Sequence, residues 1–369
     1  MRVPVERTAG KDGVLILTLS ERTALAQLLL RLRDQCAAAV TEEFLASDAG
    51  CFGNSEAGKD RCRQDLGYHV QFLAGAVQAG SPAMFRDYTA WCAGVLATRG
   101  IPESSVDLSV ETILRWLRRS MPQSEAACLD AFLRVEIPPL LPTAESLPPE
   151  PVRLAREVYV AALLAGDRRA ALTVVDESLH AGCSLVEIYV DVLAASLHEI
   201  GKLWETNSIT VAQEHIATAI TQTVVSSLYS RIPVSPRNRG RMVVSGVAGE
   251  MHQVGPNLLA DAMEAEGWKV RFLGANVPSE AMLQEIARFE PDVLCISTTL
   301  VSNLPVTASI IRAAHQRFGE GRPRIFVGGS AFHSASDDFV RELGVIRSDL
   351  RGALRILCPS DAQDEVLTP

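Results

Sequence analysis

The segment Gly249-Glu250-Met251-His252-Gln253-Val254-Gly255-Pro256 sets an imidazole just after an apolar strand pattern, and a residue without a side chain three positions beyond it. An imidazole there can ligate a metal. The glycine opens the following helix closely enough for a bulky tail to pass its backbone. A solvated loop histidine satisfies the same short spacing, so the rest of the chain has to decide. Two further strand ends supply neutral groups: Ser297-Thr298-Thr299 offers hydroxyls and Gly328-Gly329 offers bare backbone. Together with the His252 loop these line a slot able to hold a nucleotide tail.

The elements that must position these groups fall into three blocks. Six prolines crowd residues 138–151 and suit neither helix nor central strand, so residues 137–151 read as a linker. A second break, rich in Pro, Asn and Arg, follows at 233–240. Residues 1–136 form the first block, whose helical spacing is carried by Leu25, Leu28, Leu29 and Leu32, by Leu66, His69, Phe72, Leu73 and Val77, and by Phe85, Tyr88, Trp91 and Cys92. An all-helical domain is expected there. Residues 152–232 predict four helices, 152–164, 168–181, 185–204 and 211–230, joined by short loops that favour an antiparallel bundle. Thr210 with Gln213 has the form of a capping box, which puts Glu214 and His215 in the first turn of the last helix.

Residues 241–369 change period. Four short apolar runs, 242–247, 270–274, 293–297 and 325–329, each precede a helical stretch, the pattern of a doubly wound parallel sheet of flavodoxin-like or Rossmann-like type. Such sheets bind ligands beyond the carboxyl ends of their strands, where the His252 loop is expected. The third strand ends in hydroxyls where a phosphate-accepting receiver would carry an aspartate. The first turn, Gly246-Val247-Ala248-Gly249, lacks the Gly-x-Gly-x-x-Gly of a dinucleotide fold. Both of those readings fall.

Composition bounds the rest. The 369 residues carry a net charge of −9, which argues against direct nucleic-acid contact. No apolar run reaches the roughly 20 residues that span a bilayer, and the amino terminus lacks a secretory pattern, so a cytoplasmic, membrane-free protein is expected. Eight cysteines without a Cys-x-x-Cys pair indicate neither a zinc site nor a disulfide framework.

The α/β block resembles cobalamin-binding domains, whose pattern is Asp-x-His-x-x-Gly, then Ser-x-Leu, then Gly-Gly. His252, Gly255, Ser297, Gly328 and Gly329 match. The resemblance implies that His252 is the lower cobalt ligand and that the cofactor's benzimidazole tail is buried against the sheet. Two positions depart: Glu250 replaces the aspartate that hydrogen-bonds the ligand histidine, and Thr299 replaces the leucine. A carboxylate one methylene longer still orients an imidazole. The bundle is similar to the helical cap over cobalamin's upper face, and Trp204 followed after nine residues by Glu214-His215 resembles light-sensing cobalamin repressors of the CarH type. There these side chains surround an upper 5′-deoxyadenosyl group. Physically, an aromatic plate, a carboxylate and an imidazole suit a nucleoside. In those photoreceptors the residue after the tryptophan is a histidine that takes the upper cobalt position after light; here it is Glu205, so either His215 or His198 substitutes or the light state differs, and His215 is the expected substitute.

The amino-terminal block resembles the globin-like domain of photocobilins, which pair cobalamin with a bilin such as biliverdin. That implies a tetrapyrrole slot for which Asp65, Tyr68, His69, Phe72, Arg86, Tyr88 and Trp91 are the candidate residues, with Arg61, Arg63 and Arg99 as further cations and Cys62 or Cys92 as conceivable attachment points. The function expected is a non-enzymatic photoreceptor binding adenosylcobalamin and a bilin. Its output would pass through self-association or a separate effector protein. A corrinoid carrier subunit for methyl transfer is the alternative, and a mutase subunit would need a substrate barrel that the blocks do not supply.

Overall fold

A computed structural model describes residues 17–47, 55–135, 148–232, 236, 238–319 and 322–359. Most of the expected 137–151 linker lies outside them. The chain divides into two compact units.

In the amino-terminal part of the first unit the described residues form five helices: α1 (Leu19–Ser47), α2 (Glu56–Ala79), α3 (Pro82–Ala97), α4 (Ser104–Ser120) and α5 (Gln123–Leu133). Ser55 caps α2 by accepting the Gly58 N–H, and Gly80 ends it in the left-handed conformation. Along α1, Leu25, Leu29, Cys36 and Val40 are fully buried, the three-to-four spacing of a helix with one apolar face. Residues 300–309 and 334–343 group with these helices although they lie in the α/β block of the sequence. Gly75 of α2 is there a steric necessity, since a Cβ would stand 2.0 Å from the Val301 carbonyl oxygen. Arg22 of α1 pairs with Glu342 in the same unit.

The second unit begins with the bundle. α6 (Glu150–Leu164) starts two residues earlier than the periodicity predicts, because Pro151 sits in its first turn, where a missing N–H costs nothing. α7 (Arg168–His180) is capped by Asp167. The third helix, α8, runs over residues 185–205 and has a seven-residue π-helical stretch, Ile188–Ala194, between α-helical ends. α9 (Val211–Tyr229) opens with the expected Thr210–Gln213 capping box. The bundle core is formed by Tyr159, Ile188, Tyr189, Val192, Leu193, Ile220 and Val224, and the Tyr159 hydroxyl donates to Thr221 Oγ1 at 3.1 Å.

Five parallel strands follow: β1 (Arg241–Gly246), β2 (Lys269–Phe272), β3 (Val293–Ser297), β4 (Arg324–Gly328) and β5 (Ile346–Arg347), in the order β2-β1-β3-β4-β5. The flavodoxin-like order is thus present, with one strand more than periodicity predicts. β5 has only two residues, too few to show alternation or an apolar run. The order reverses between β1 and β3, so the loops after these two strands face one crevice. Helix α10 (Val254–Ala265) follows β1, and its Leu258 and Ala262 join the bundle core. Arg351 grips Asp191 of the π-helical stretch through two hydrogen bonds of 3.0 and 2.5 Å. Tyr189 donates to Asp261 of α10 at 3.4 Å.

Candidate functional site

At the β1–β3 crevice the centre is Glu250, a fully buried carboxylate with both oxygens committed. Its Oε1 accepts the His252 backbone N–H at 3.2 Å and is 2.5 Å from His252 Nδ1. Its Oε2 accepts the Thr299 N–H at 2.7 Å, tying the end of β3 to the loop after β1. His252 itself keeps 54% of its side chain exposed. With Nδ1 engaged by the carboxylate, Nε2 is the nitrogen left to act as a donor. The Glu250 hydrogen bond raises the His252 pKa above its ordinary value, partial burial opposes this, and the charges of Glu250 and of Glu214 add to the rise.

That last contribution joins the two layers. Glu214, in the first turn of α9, lies within electrostatic reach of His252 at the strand ends. Glu214 also engages the Nδ1 of exposed His215 in a close hydrogen bond and accepts the Thr218 hydroxyl at 3.0 Å. Trp204, near the end of α8, is half-buried with part of its surface against the bundle core. Glu205 is half-buried beside it, and His198 lies exposed about one and two-thirds turns before Trp204 on the helix.

The remaining predicted positions separate by cause. Ser297 pairs in register with Gly246 on one side and Gly328 on the other, so it sits at the sheet's carboxyl edge. Gly329 has φ 94°, and a Cβ there would stand 2.4 Å from the Thr298 carbonyl oxygen; at Gly328 a Cβ would stand 2.9 Å from that of Ser348. The Gly-Gly pair is therefore explained by packing within the protein. Gly255 is not: its φ is ordinary, and a Cβ would meet nothing within 4 Å. Nothing inside the protein requires a glycine at 255.

In the first unit, His69 is buried and its Nδ1 is 2.9 Å from the Tyr88 hydroxyl oxygen. Phe72 stacks flat on Tyr88 with ring centroids 3.8 Å apart, so those two walls meet each other directly. Burial lowers the His69 pKa to about 4, leaving a neutral imidazole at physiological pH. Burial raises the Asp65 pKa, and the Cys62 and Cys92 thiols are pushed up to about 11, burial again being the largest cause. Asp65, Tyr68 and Cys92 all act electrostatically on Tyr88, which places them around one locus. Tyr68, Arg86 and Trp91 are exposed.

Sequence reasoning passed over Asn276 and the Thr299 main chain. Asn276 follows β2 with φ 54°, donates its N–H to the Glu250 carbonyl at 2.8 Å, and accepts the Gly249 N–H on its side chain at 2.9 Å. The turn composition Gly274-Ala275-Asn276-Val277-Pro278 was the available signal. Among the described residues no group of three or more His, Cys, Asp or Glu could cage a bare metal ion. One braced imidazole suits a metal that arrives with its other ligands.

Two segments of the chain match known families. Residues 240–355 match a family described as B12 binding domain, and residues 155–229 match a second B12 binding domain family. The chain is 30% identical over 181 residues to the HTH-type transcriptional repressor CarH of Myxococcus xanthus, with 48% of this chain and 58% of the repressor covered. It is 23% identical over 154 residues to trimethylamine corrinoid protein 1 of Methanosarcina acetivorans, covering 40% of this chain and 71% of that protein. The solved structure of the Methanosarcina barkeri monomethylamine corrinoid protein superposes with a TM-score of 0.49 at 17% identity, over 55% of this chain and 97% of that one. By the two family matches, the helical bundle and the parallel sheet each correspond to a B12 binding domain.

Proposed function

We infer that this chain is a light-responsive, non-enzymatic cobalamin protein in which His252 is the lower ligand to cobalt and Trp204, Glu214 and His215 meet an upper adenosyl group. The observation that carries this reading is the carboxylate-braced imidazole at the carboxyl ends of the strands, with Glu214 of the bundle near enough to act on it electrostatically.

The residues present fit such a cofactor. Buried Glu250 holds the His252 ring and leaves Nε2 as the donor. Gly255, with no neighbour near its missing Cβ, leaves passage for the nucleotide tail, and Ser297, Thr299, Gly328 and Gly329 would line its course. On the other side, Trp204 offers a plate for the adenine and Glu214 an acceptor for ribose hydroxyls. When bound, adenosylcobalamin supplies a cobalt–carbon bond that visible light breaks. Glu214 orients the His215 ring by its Nδ1, which supports His215 over His198 as the light-state ligand in place of Glu205.

The bundle is joined to the sheet layer through the Asp191–Arg351 pair and the Tyr189–Asp261 contact, so a shift of the bundle would change these contacts. The output is proposed to be a change in association, with another copy or with an effector protein, and not direct nucleic-acid or membrane binding. The first unit is proposed to hold a bilin such as biliverdin. Asp65 then serves the pyrrole nitrogens, since His69 is neutral and bonded to Tyr88, while Tyr68, Trp91 and Arg86 are at the surface and Phe72 and Tyr88 would have to part.

The test is to load the purified protein with adenosylcobalamin, with and without biliverdin, and to record absorption and elution volume in the dark and after green light. A dark-stable spectrum that light converts, with a change in elution, is expected. Identical dark and illuminated spectra would overturn the photoreceptor reading. The corrinoid-carrier alternative, favoured by the methylamine corrinoid relatives, predicts equal retention of methylcobalamin and adenosylcobalamin.

A further inference from the structure

The loop that carries His252 is gripped from the end of the neighbouring strand. Beyond β2 the chain turns through Gly274, Ala275 and Asn276; the Gly246 N–H donates to the Gly274 carbonyl at 2.8 Å, and Val277 bridges in parallel to Val247. At the tip of this turn, one residue bonds twice to consecutive positions of the His252 loop. The backbone N–H of Asn276 donates to the Glu250 carbonyl, and its side-chain Oδ1 accepts the Gly249 N–H. Both bonds require the turn to hold Asn276 at φ 54° against Gly249 at φ 84°. Asparagine is one of the few residues with a side chain that occupies the left-handed region readily.

The consequence reaches the imidazole through one intermediary. Asn276 fixes the main chain of Glu250, and the side chain of Glu250 fixes the ring and main chain of His252. On the opposite side, the Thr299 N–H holds the same carboxylate. Glu250 is thus clasped by its backbone from the β2 turn and by its side chain from the end of β3.

We propose that Asn276 is a positioning residue for His252, setting the pose in which the imidazole is presented to a corrinoid. The proposal rests on the reading of His252 as the cobalt ligand and is independent of light or of the upper group. Asn276 is exposed, so its replacement leaves the core untouched.

The test uses three variants of the full chain and two readouts. All three keep the backbone N–H that donates to Glu250. Asn276→Asp also keeps the acceptor and the tolerance of positive φ; Asn276→Gly keeps the backbone freedom but loses the acceptor for Gly249; Asn276→Ala loses both. The first readout is hydrogen exchange of residues 247–253 without any corrinoid. The second is retention and absorption of cobinamide, a corrinoid lacking the nucleotide tail, whose lower cobalt position the protein must fill. Asn276→Asp is expected within about twofold of the parent in both. Asn276→Gly should exchange about tenfold faster and hold cobinamide about tenfold more weakly, the usual scale for losing a metal ligand's support, at an unchanged melting temperature. Asn276→Ala should lose more. Parental behaviour of Asn276→Gly in both readouts, or an Asn276→Asp as impaired as Asn276→Gly, would overturn the proposal. His252→Ala separates the two layers of inference: an unchanged cobinamide spectrum in that variant overturns the ligand reading, and the role of Asn276 with it.

Discussion

His69 and His252 are the same side chain treated in opposite ways. His69 is enclosed by α2 and α3, bonded to Tyr88, and burial drives its pKa down to about 4. His252 stands half-open at a strand end, and its hydrogen bond to a buried carboxylate drives its pKa up. His252 has one nitrogen committed inward and one left outward, whereas His69, built into a core, surrenders its charge. In each case the sign of the shift follows from what surrounds the ring.

The largest effect that would break this contrast is expected from His252→Ala. Its loss of cobalamin retention should exceed the roughly 10- to 100-fold range for removing a ligand's hydrogen-bond partner, measured by equilibrium dialysis; retention within tenfold of the parent would remove His252 from the site. Next comes acid titration of the first unit. Because the folded pKa of His69 lies near 4 and below its ordinary 6.5, the unfolded chain takes the proton more readily. Stability is therefore full above pH 6.5 and declines as pH falls toward 4, by on the order of 3 kcal/mol. His69→Gln should flatten that decline in denaturant melts followed between pH 7 and 4. Glu250→Gln should weaken cobalamin binding by about 10- to 100-fold while His252 remains in place; an effect equal to that of His252→Ala would mean the carboxylate does more than hold the ring. The smallest effect is expected from Trp204→Ala, which should cost about 1 kcal/mol of adenosylcobalamin affinity, the low end of the range for one stacked base because the indole is already half-buried against the bundle core, and leave methylcobalamin unaffected. Equal losses for both would assign Trp204 to the bundle core alone.

Much of the second unit was legible because its signals are local. Capping at Thr210, the apolar runs of β1, β3 and β4, and the turn at Gly328-Gly329 each fall within a few residues. The two-residue β5 carried no such signal, and its place in the sheet follows from its neighbour β4. Long-range bonds were equally silent: the Thr299 N–H that holds Glu250 joins positions 49 residues apart through a main-chain group that any residue could supply. In the first unit, periodicity found His69 and the aromatics, but not that Phe72 and Tyr88 would satisfy each other. Helical spacing gives the face on which a residue lies, and packing decides whether that face meets protein or ligand.

The π-helical stretch of α8 makes the phase of the helix adjustable. Trp204 lies ten residues beyond Ala194, at the far end of the same helix. One residue turns an α-helix by about 100°. Deleting a single residue from 188–194 would let that stretch revert to α-helical winding and absorb the change there. Lengthening the α-helical part ahead of Trp204 by one residue would instead swing the indole by that angle, away from its present packing against the bundle core. The wide turn thus acts as a vernier between the anchored start of the helix and the aromatic plate at its end.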